Sequence, residues 1–518
     1  MTKKTILIIG AGASGSAAAW NLSKFSNLNV ICFEQGKKNN PNEYDYTSDE
    51  WEKNKIIKYQ KNPNKRNSIY DYPINNQNSD ISLANFNGVG GSTVIYNAHL
   101  PRFKPSDFNT YKNEGVGMDW PLNYNDLVKY FEINEKRMGV AGLSGDPAYP
   151  DIKKLLLNVK LDKSGELILK AFRKLKWHCW PSYSGIATTN IKGRKKLSKA
   201  NAINSYLLDA IKNGVKLKTN SRVINIKLNK QGKAAGVYYS NKFKKIKFQE
   251  ASVIILACSG AGTPRLMLNS KNKFFPNGLA NSSKQIGKNL MLHPLGYAEG
   301  KFEKFLASHR GPEGCCLYSH QFYHTKKNNN FKRGYTIQIL RGQSALEVAL
   351  NEKKFKNLKF GNKFHQNFLD NYGHSIPMAI ICEDFPDKSN YLELDHKNKD
   401  INGMPGIKVN YTISDNTKKM LSHGINKCKE VLKTAGAVRI RSFGPVRDTG
   451  WHIMGTARMG LNKKNSVVNP YCQTHDIENL FIIDSSVFTT SSGVNPLNTI
   501  MALSLRATDF IKHNINKL

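Results

Sequence analysis

The chain has 518 residues, of which 40% are hydrophobic and 22% are charged, as in a soluble globular protein large enough for two or more domains. Its formal net charge is +38, but the lysines are spread along the chain and no nucleic-acid-binding motif occurs, so we expect no nucleic-acid partner and leave contact with an anionic membrane surface open. No apolar run approaches the roughly 18 residues that span a bilayer, no apolar signal segment precedes the first predicted strand, and the eight cysteines are scattered, which predicts a cytoplasmic protein with reduced thiols and no metal site.

The N-terminal segment predicts a nucleotide-binding unit. Residues 5–9 form a short, wholly apolar run, typical of a strand that is buried on both faces. Gly10-Ala-Gly-Ala-Ser-Gly15 follows, fits the pattern G-x-G-x-x-G and leads into a stretch with helical spacing. A second predicted strand, 29–33, ends on Glu34, nineteen positions after Gly15. Strand, glycine turn, helix, strand and acid in this order indicate a dinucleotide site.

Each residue type in this unit has a physical role. Gly10 permits the tight turn, Gly12 lets a pyrophosphate approach the backbone, and Gly15 lets the helix pack close to the strand. The helix start offers free N–H groups and the positive end of a dipole to the phosphates. Glu34 can accept both ribose hydroxyls and would repel a 2′-phosphate, which argues against NADP. NAD and FAD both stay open at this point.

The middle of the chain predicts a second glycine turn and a second sheet. Residues 37–80 are polar and are interpreted as a lid over the cofactor. The segment 88–93, GVGGST, is another turn at which backbone can approach a ligand, and a strand is predicted at 248–257. Strand-like segments between 300 and 440, with a helix at 418–434, predict a sheet-based domain on the substrate side.

The C-terminal part predicts a loop around one histidine and a helix that faces a ligand. The segment 451–460, WHIMGTARMG, places His452 between glycines, and a buried strand ends on Asp484 shortly afterwards. Asn495 and Pro496 then open an apolar helix, whose N-terminus is suited to an anionic part of a ligand.

These motifs make the chain similar to the GMC (glucose–methanol–choline) oxidoreductases, a family of FAD-dependent alcohol oxidases and dehydrogenases. The likeness spans nearly the whole chain and rests on these ordered segments: GAGASG with Glu34, GVGGST at 88–93, DWPLNYNDLVKYF at 119–131, GLANSSKQIGKNLMLHP at 278–294, EDFPDKSNYLELD at 383–395, HIMGTARMG at 452–460 and DSSVFTTSSGVNPLNTIMAL at 484–503. The form HIMGTARMG most resembles the branch of gluconate- or sugar-dehydrogenase-like and choline-dehydrogenase-related flavoproteins. The resemblance favours FAD over NAD.

The resemblance implies an α/β fold in which a Rossmann-like FAD-binding domain is joined to a discontinuous, sheet-based substrate domain. The first would comprise residues 1–110, 196–300 and 445–518, and the second 111–195 and 301–444. The residues implied in FAD binding are Gly10, Gly12, Ala13, Ser14, Gly15, Glu34, Gly90, Gly91, Ser92, Val223, Ala257, Asp484, Asn495, Pro496 and Thr499. Some members attach FAD to a histidine where this chain has Val94 and Ile95, so we expect non-covalent FAD.

The resemblance also assigns the chemistry. His452 and Asn495 match the family's catalytic pair, in which His452 takes the hydroxyl proton of an alcohol while a hydride passes to flavin N5, and Asn495 holds the same oxygen. Tyr96 and Asn97 follow the second glycine turn and are expected to face the substrate, whereas a structural role is expected for His293. The implied substrate is a sugar, sugar acid, polyol or other alcohol, with oxygen, a quinone or a haem subunit as electron acceptor. The alternative is a non-catalytic flavin-binding or electron-transfer subunit of a larger dehydrogenase complex.

Overall fold

The computed structural model describes residues 3–40, 58–153, 155–191, 194–241, 243–311, 315–326, 328–354 and 361–518. Its strands, β1 to β17, are Lys4–Ile9, Leu28–Phe33, Ile74–Ser79, Trp180–Pro181, Lys216–Lys218, Arg222–Leu228, Ala234–Ser240, Ile246–Glu250, Val253–Leu256, Leu295–Lys301, Cys315–Ser319, Tyr335–Leu340, Ser375–Cys382, Tyr391–Lys399, Pro405–Tyr411, Arg439–Phe443 and Leu480–Ile482. Its α-helices, α1 to α11, are Ala13–Leu22, Pro63–Arg66, Thr110–Glu114, Asn125–Met138, Lys163–Lys174, Leu208–Lys212, Ser259–Asn269, Ala345–Lys354, Asn362–Asn371, Asp415–Thr434 and Leu497–Asn514.

A five-stranded parallel sheet, in the order β17-β9-β1-β2-β5, carries the predicted nucleotide unit. β9 and β17 are apolar and buried along their whole length, as strands covered on both faces must be. Helix α1 follows β1 directly and packs on α11. The carboxyl ends of β1, β2 and β9 therefore meet the N-terminus of α1 at one edge, where open parallel sheets bind their ligands.

A six-stranded antiparallel sheet, in the order β16-β10-β13-β12-β11-β4, forms the second large layer. Its central strand β13 is buried at every residue, because α10 packs on one face of the sheet and a cavity adjoins the other. Ser414 caps α10 by accepting a hydrogen bond from the Thr417 N–H at 3.2 Å. Two three-stranded sheets, β14-β15-β3 and β6-β7-β8, complete the fold.

The mixed α/β architecture confirms the predicted fold class, but several elements differ from their predictions. The strand predicted at 248–257 is divided between β8 and β9, because the chain turns at Ala251 and Ser252 from an antiparallel sheet into the parallel one. Strand β3 pairs with β15, and β10 pairs with β13, so two strands of the first predicted domain share sheets with strands of the second. The domain boundaries stay a prediction, and so does the lid, because part of it, 41–57, lies outside the described residues.

Two further structural findings bear on the sequence analysis. Within the described ranges, no helix is both long enough and apolar enough to cross a membrane. The same residues contain no group of three or more histidine, cysteine, aspartate or glutamate side chains arranged to hold a metal ion.

Candidate active site

A cavity of about 1330 Å³ connects the edge of the parallel sheet with the face of the six-stranded sheet. Gly10, Glu34 and Ala257, from the ends of β1, β2 and β9, line one part of it. Gln338 and Ala379, from β12 and β13, line another part. A dinucleotide held at the parallel sheet and a small molecule held at the antiparallel sheet would therefore share one cavity.

The two glycine turns are packed so closely that side chains are excluded. Gly10 has φ +109°, and a Cβ there would lie 2.4 Å from the carbonyl oxygen of Ala257. A Cβ on Gly15 would lie 1.9 Å from the carbonyl oxygen of Gly10. Gly91 has φ +54°, and its Cβ would lie 2.9 Å from the Cα of Gly12. The GAGASG turn and the GVGGST turn thus face each other with bare backbone, which is the surface that a pyrophosphate needs.

Glu34 is buried at the end of β2, and two backbone N–H groups hold its carboxylate. The Ala11 N–H donates to Oε2 at 3.0 Å and the Gly36 N–H donates to Oε1 at 2.9 Å. Burial raises the pKa of Glu34, and these N–H donors oppose that rise. Since a carboxylate has about four acceptor positions, positions remain for the ribose hydroxyls that the sequence predicts.

Asp484 is held in a fixed orientation next to the start of α7. Its Oδ2 accepts a hydrogen bond from the Thr263 hydroxyl at 2.5 Å, and its Oδ1 accepts from the Ser486 N–H at 2.9 Å and the Ser486 hydroxyl at 2.6 Å. Burial raises the pKa of Asp484, which these donors counteract. The side chain lines the cavity, so the strand that precedes Asp484 places this acid at the site where a ligand would bind.

His293 fixes the proton positions of His452. The Nε2 of His293 lies 2.9 Å from the carbonyl oxygen of Ser492, which can only accept, so this nitrogen carries the proton. Burial lowers the pKa of His293 to about 4, so the ring is neutral near pH 7 and its Nδ1 has a free lone pair. The Nδ1 of His452 lies 2.9 Å from that atom and must donate to it. The lone pair of neutral His452 is therefore on Nε2.

Asn495 and Gln338 complete the environment of that lone pair. The amide oxygen of Asn495 accepts a hydrogen bond from Gln338 Nε2 at 2.6 Å. This contact leaves the Nδ2 of Asn495 to face His452 Nε2, at 3.5 Å. A hydroxyl placed beside both groups could donate to His452 and accept from Asn495 at the same time. The arrangement is suited to removing a proton from an alcohol.

Most predicted site residues lie on the cavity wall. Those that line it are Gly10, Gly12, Ala13, Ser14, Glu34, Gly91, Ser92, Tyr96, Asn97, Val223, Ala257, His452, Asp484, Asn495 and Pro496. Gly15 and Gly90 lie behind the wall and permit its close packing. Thr499 is buried in α11, and its hydroxyl has no hydrogen-bond partner among the described residues. The roles of all these residues in binding stay predictions.

Sequence reasoning missed three side chains at the site. Gln338 lies on β12 in a stretch without a motif, so no local signal could have identified it. The sequence predicts a structural role for His293, and its place at the end of the segment 278–294 is the signal that marks it; its contact with His452 is what the sequence does not reveal. His99 lines the cavity, and its Nε2 has no hydrogen-bond partner among the described residues; burial lowers its pKa to about 4.

Comparison with known proteins identifies the family. Two family models, both described as GMC oxidoreductase, match residues 4–295 and 386–504. The chain belongs to the GMC oxidoreductases. It is 34% identical over 533 aligned residues to the 2-methyl-1,2-propanediol dehydrogenase of Mycolicibacterium austroafricanum, covering 99% of this chain and 96% of that protein. It is 24% identical to the fructose dehydrogenase large subunit of Gluconobacter japonicus, covering 99% and 98% of the two chains.

A solved structure supports the same fold for this GMC oxidoreductase. The pyridoxine 4-oxidase from Mesorbium loti aligns with a TM-score of 0.67 at 16% identity and covers 99% of each chain. Family membership confirms the predicted enzyme class and cofactor: the protein is a flavoenzyme that uses FAD and acts on CH–OH donors.

The residues around the cavity fit FAD. The bare backbone of the two glycine turns, the buried Glu34 and the helix start at Ala13 are the features that an adenosine and a pyrophosphate require. Val94 and Ile95 offer no nucleophile for a covalent link. Non-covalent attachment stays a prediction.

Replacing His293 with phenylalanine tests whether it orients the base. An aromatic ring is kept, but the His452 Nδ1–H loses its hydrogen-bond acceptor. We therefore expect flavin reduction by alcohol to be slower by roughly 5- to 150-fold, which corresponds to the free-energy cost of one buried polar group without a partner. His293 also lowers the pKa of His452, so in the variant the acid limb of the rate profile should move to higher pH. Stopped-flow reduction at several pH values measures both effects. An unchanged rate and an unchanged acid limb would show that His293 is only structural.

Proposed function

We propose that this GMC oxidoreductase oxidises the CH–OH group of an alcohol, polyol, sugar or sugar acid, with His452 as general base. The observation that carries the proposal is the tautomer of His452. The Ser492 carbonyl accepts from His293 Nε2, and His293 Nδ1 accepts from His452 Nδ1. The Nε2 of His452 is therefore unprotonated, and it lies next to Asn495 in the cavity that the glycine turns also line. This nitrogen faces the Asn495 amide and the cavity, which is where the base for a bound alcohol must lie.

The protein's part in the reaction is to hold the alcohol and remove its proton. His452 Nε2 takes the hydroxyl proton, and the Nδ1–H of the same ring keeps its bond to His293. The Asn495 amide donates to the substrate oxygen and so holds the carbinol carbon in one orientation. Bound FAD supplies the acceptor for the hydride, and the alcohol leaves as a carbonyl compound.

The relatives support this substrate range. One is named for a branched diol and another for fructose, so both small diols and sugars lie within the range of related enzymes. The fructose dehydrogenase is named as a large subunit, which supports an electron acceptor on a separate chain as one alternative to oxygen or a quinone. We also propose that the predicted cofactor residues hold FAD without a covalent bond. For the location of the protein we propose the cytoplasm, with peripheral contact to a membrane as the alternative.

Anaerobic reduction of the flavin tests the proposal. The purified holoenzyme is mixed with a panel of alcohols, diols, sugars and sugar acids, and the flavin absorbance near 450 nm is followed. Bleaching by at least one compound, reversed by oxygen or by an artificial acceptor, is expected. If no alcohol bleaches the flavin while dithionite does, the protein is better explained as a flavin-binding or electron-transfer subunit. The rate of reoxidation by oxygen separates an oxidase from a dehydrogenase.

A further inference from the structure

Six apolar side chains form one wall of the cavity at the six-stranded sheet. Leu295, Ala379 and Ile381 make a small buried cluster of their own, and three partly buried side chains pack against it: Leu340, Val446 and Trp451. All six line the cavity; we call them the apolar wall. The cluster is distinct from the larger hydrophobic cores, so its apolar surface is available to a molecule in the cavity.

The apolar wall begins directly beside the proposed reacting centre. Gln338, which holds Asn495, pairs with Ala379 on the neighbouring strand. Ala379 pairs in turn with Tyr297 on the next strand. Since neighbouring strands lie about 4.8 Å apart, the sheet surface from Gln338 to Tyr297 spans roughly 10 Å. A substrate whose hydroxyl meets His452 would therefore rest its carbon body on apolar side chains.

Two hydroxyl groups that line the cavity donate to backbone carbonyl oxygens. Tyr96 OH donates to the carbonyl oxygen of Ala200 at 2.8 Å, and Thr449 Oγ1 donates to that of Val446 at 2.5 Å. Gln338 likewise donates to Asn495. A substrate hydroxyl that lies against the six apolar side chains themselves finds no donor or acceptor among them, and an unpartnered buried hydroxyl costs binding free energy.

We infer that the substrates of this site are alcohols with a compact, branched hydrocarbon body next to the carbinol carbon, in preference to sugars and polyols. The inference rests on the proposed function, which it narrows to one part of its range. Two polar side chains, Tyr297 and Gln343, also line the cavity. Gln343 Nε2 donates to the Tyr297 hydroxyl at 3.4 Å and to Oε1 of the buried Glu299 at 3.1 Å.

Pairs of alcohols of equal shape test the inference. 2-Methyl-1-butanol is compared with glycerol, and 2-methyl-1-propanol with 1,2-propanediol. In each pair the first compound has a methyl group at every position where the second has an extra hydroxyl: two positions in glycerol and one in 1,2-propanediol. For each pair, kcat/KM for anaerobic flavin reduction is measured on the holoenzyme. We expect the branched alcohol to be preferred by about 10²-fold per exchanged group, the discrimination that a hydrophobic pocket achieves against an added hydroxyl.

The Ile381→Thr variant tests whether the apolar wall causes the preference. It puts a hydroxyl into the wall, so the preference should fall by about tenfold or more, and 2-methyl-2-butanol, which has no carbinol hydrogen and cannot be oxidised, should inhibit more weakly. Ile401→Thr is the matched control, because Ile401 is 45% exposed in the turn between β14 and β15. Retained FAD absorbance in both variants shows that they fold.

The outcomes separate the two proposals. Equal or higher kcat/KM for glycerol and 1,2-propanediol would overturn the inference while the proposed function stands. A preference that Ile381→Thr and Ile401→Thr leave equally unchanged would show that the wall does not cause it. No flavin reduction by any alcohol in the panel would instead overturn the proposed function.

Discussion

Replacing His452 with alanine is expected to slow flavin reduction by about 10² to 10⁴-fold, the usual contribution of a general base. FAD should stay bound, because the glycine turns and Glu34, which form the other part of the cavity, are unchanged. The remaining rate would come from orientation by Asn495 and from the environment of the cofactor.

Anaerobic stopped-flow spectroscopy measures this effect, and the FAD content is taken from the ratio of flavin to protein absorbance. His396→Ala is the matched control, since His396 is exposed on β14 and should leave the rate within twofold of the wild type. A His452→Ala variant with full FAD and a rate close to that of His396→Ala would contradict the role of His452 as base.

The pH dependence of the wild type gives an independent check on the same base. Burial and the neighbouring His293 and His99 hold the pKa of His452 well below its usual value. A base with a lowered pKa stays unprotonated as the pH falls. The rate of flavin reduction should therefore stay constant through the usual histidine pKa of about 6.5 and decline only at more acid pH. A decline centred on the usual histidine pKa would show a water-exposed base instead.

Replacing Arg333 with methionine is expected to destabilise the protein by about 3–5 kcal/mol, the cost of breaking a buried ion pair by removing one partner. Arg333 is fully buried, and its guanidinium contacts Asp107 at 2.5 Å, Glu383 at 2.8 Å and Glu114 at 3.0 Å. These carboxylates come from the segments around α3 and the end of β13, so one side chain joins two distant parts of the chain. Without it, Asp107 and Glu383 stay buried but lose the guanidinium that pairs with both of them.

The loss of stability in Arg333→Met should grow as the pH rises. Burial already raises the pKa of Glu383 to about 7, and Arg333 opposes that rise, so the pKa in the folded variant would be higher still. A folded state that binds more protons than the unfolded state loses stability with rising pH. Both proteins lose this stability between the unfolded pKa of about 4.3 and pH 7, so the difference from wild type should widen only from about pH 7, where Glu383 ionises in the wild type, up to the higher folded pKa of the variant.

Thermal and urea unfolding of the holoenzyme at several pH values measure this difference. Lys332→Met is the matched control, because Lys332 is the exposed neighbour of Arg333 and the same side chain is introduced. A midpoint for Arg333→Met that equals that of Lys332→Met at every pH would show that the buried charges are tolerated without their partner.

The local parts of the site could be predicted from the sequence. Gly10, Gly12 and Gly15 lie within six residues of one another, and their roles depend on a turn between a strand and a helix that short-range geometry dictates. The same holds for Glu34 at the end of the next strand. His452 and Asn495 were predicted from family motifs rather than from geometry, and the structure brings them within 3.5 Å.

The supporting residues could not be predicted, because their partners are remote in sequence. His293 is 159 positions from His452, and Gln338 is 157 positions from Asn495. Neither pair has a spacing or period that marks it, so only the packing of β12 against the loop before α11 brings Gln338 to the site. The apolar wall is similar: its members are spread over β10, β12, β13 and the loop that contains Trp451, and each alone resembles an ordinary core residue.

By itself, the sequence determined the nucleotide unit, the order of the family motifs, the α/β class and the two candidate catalytic residues, because these depend on short segments or on their order. Only the tertiary structure decided which nitrogen of His452 carries the proton, which amide holds Asn495 and which side chains a substrate would touch. The physical reason is that tautomers, buried ion pairs and cavity walls are set by atoms that come together from distant segments. A linear pattern records the residue types of those segments but not which of them meet.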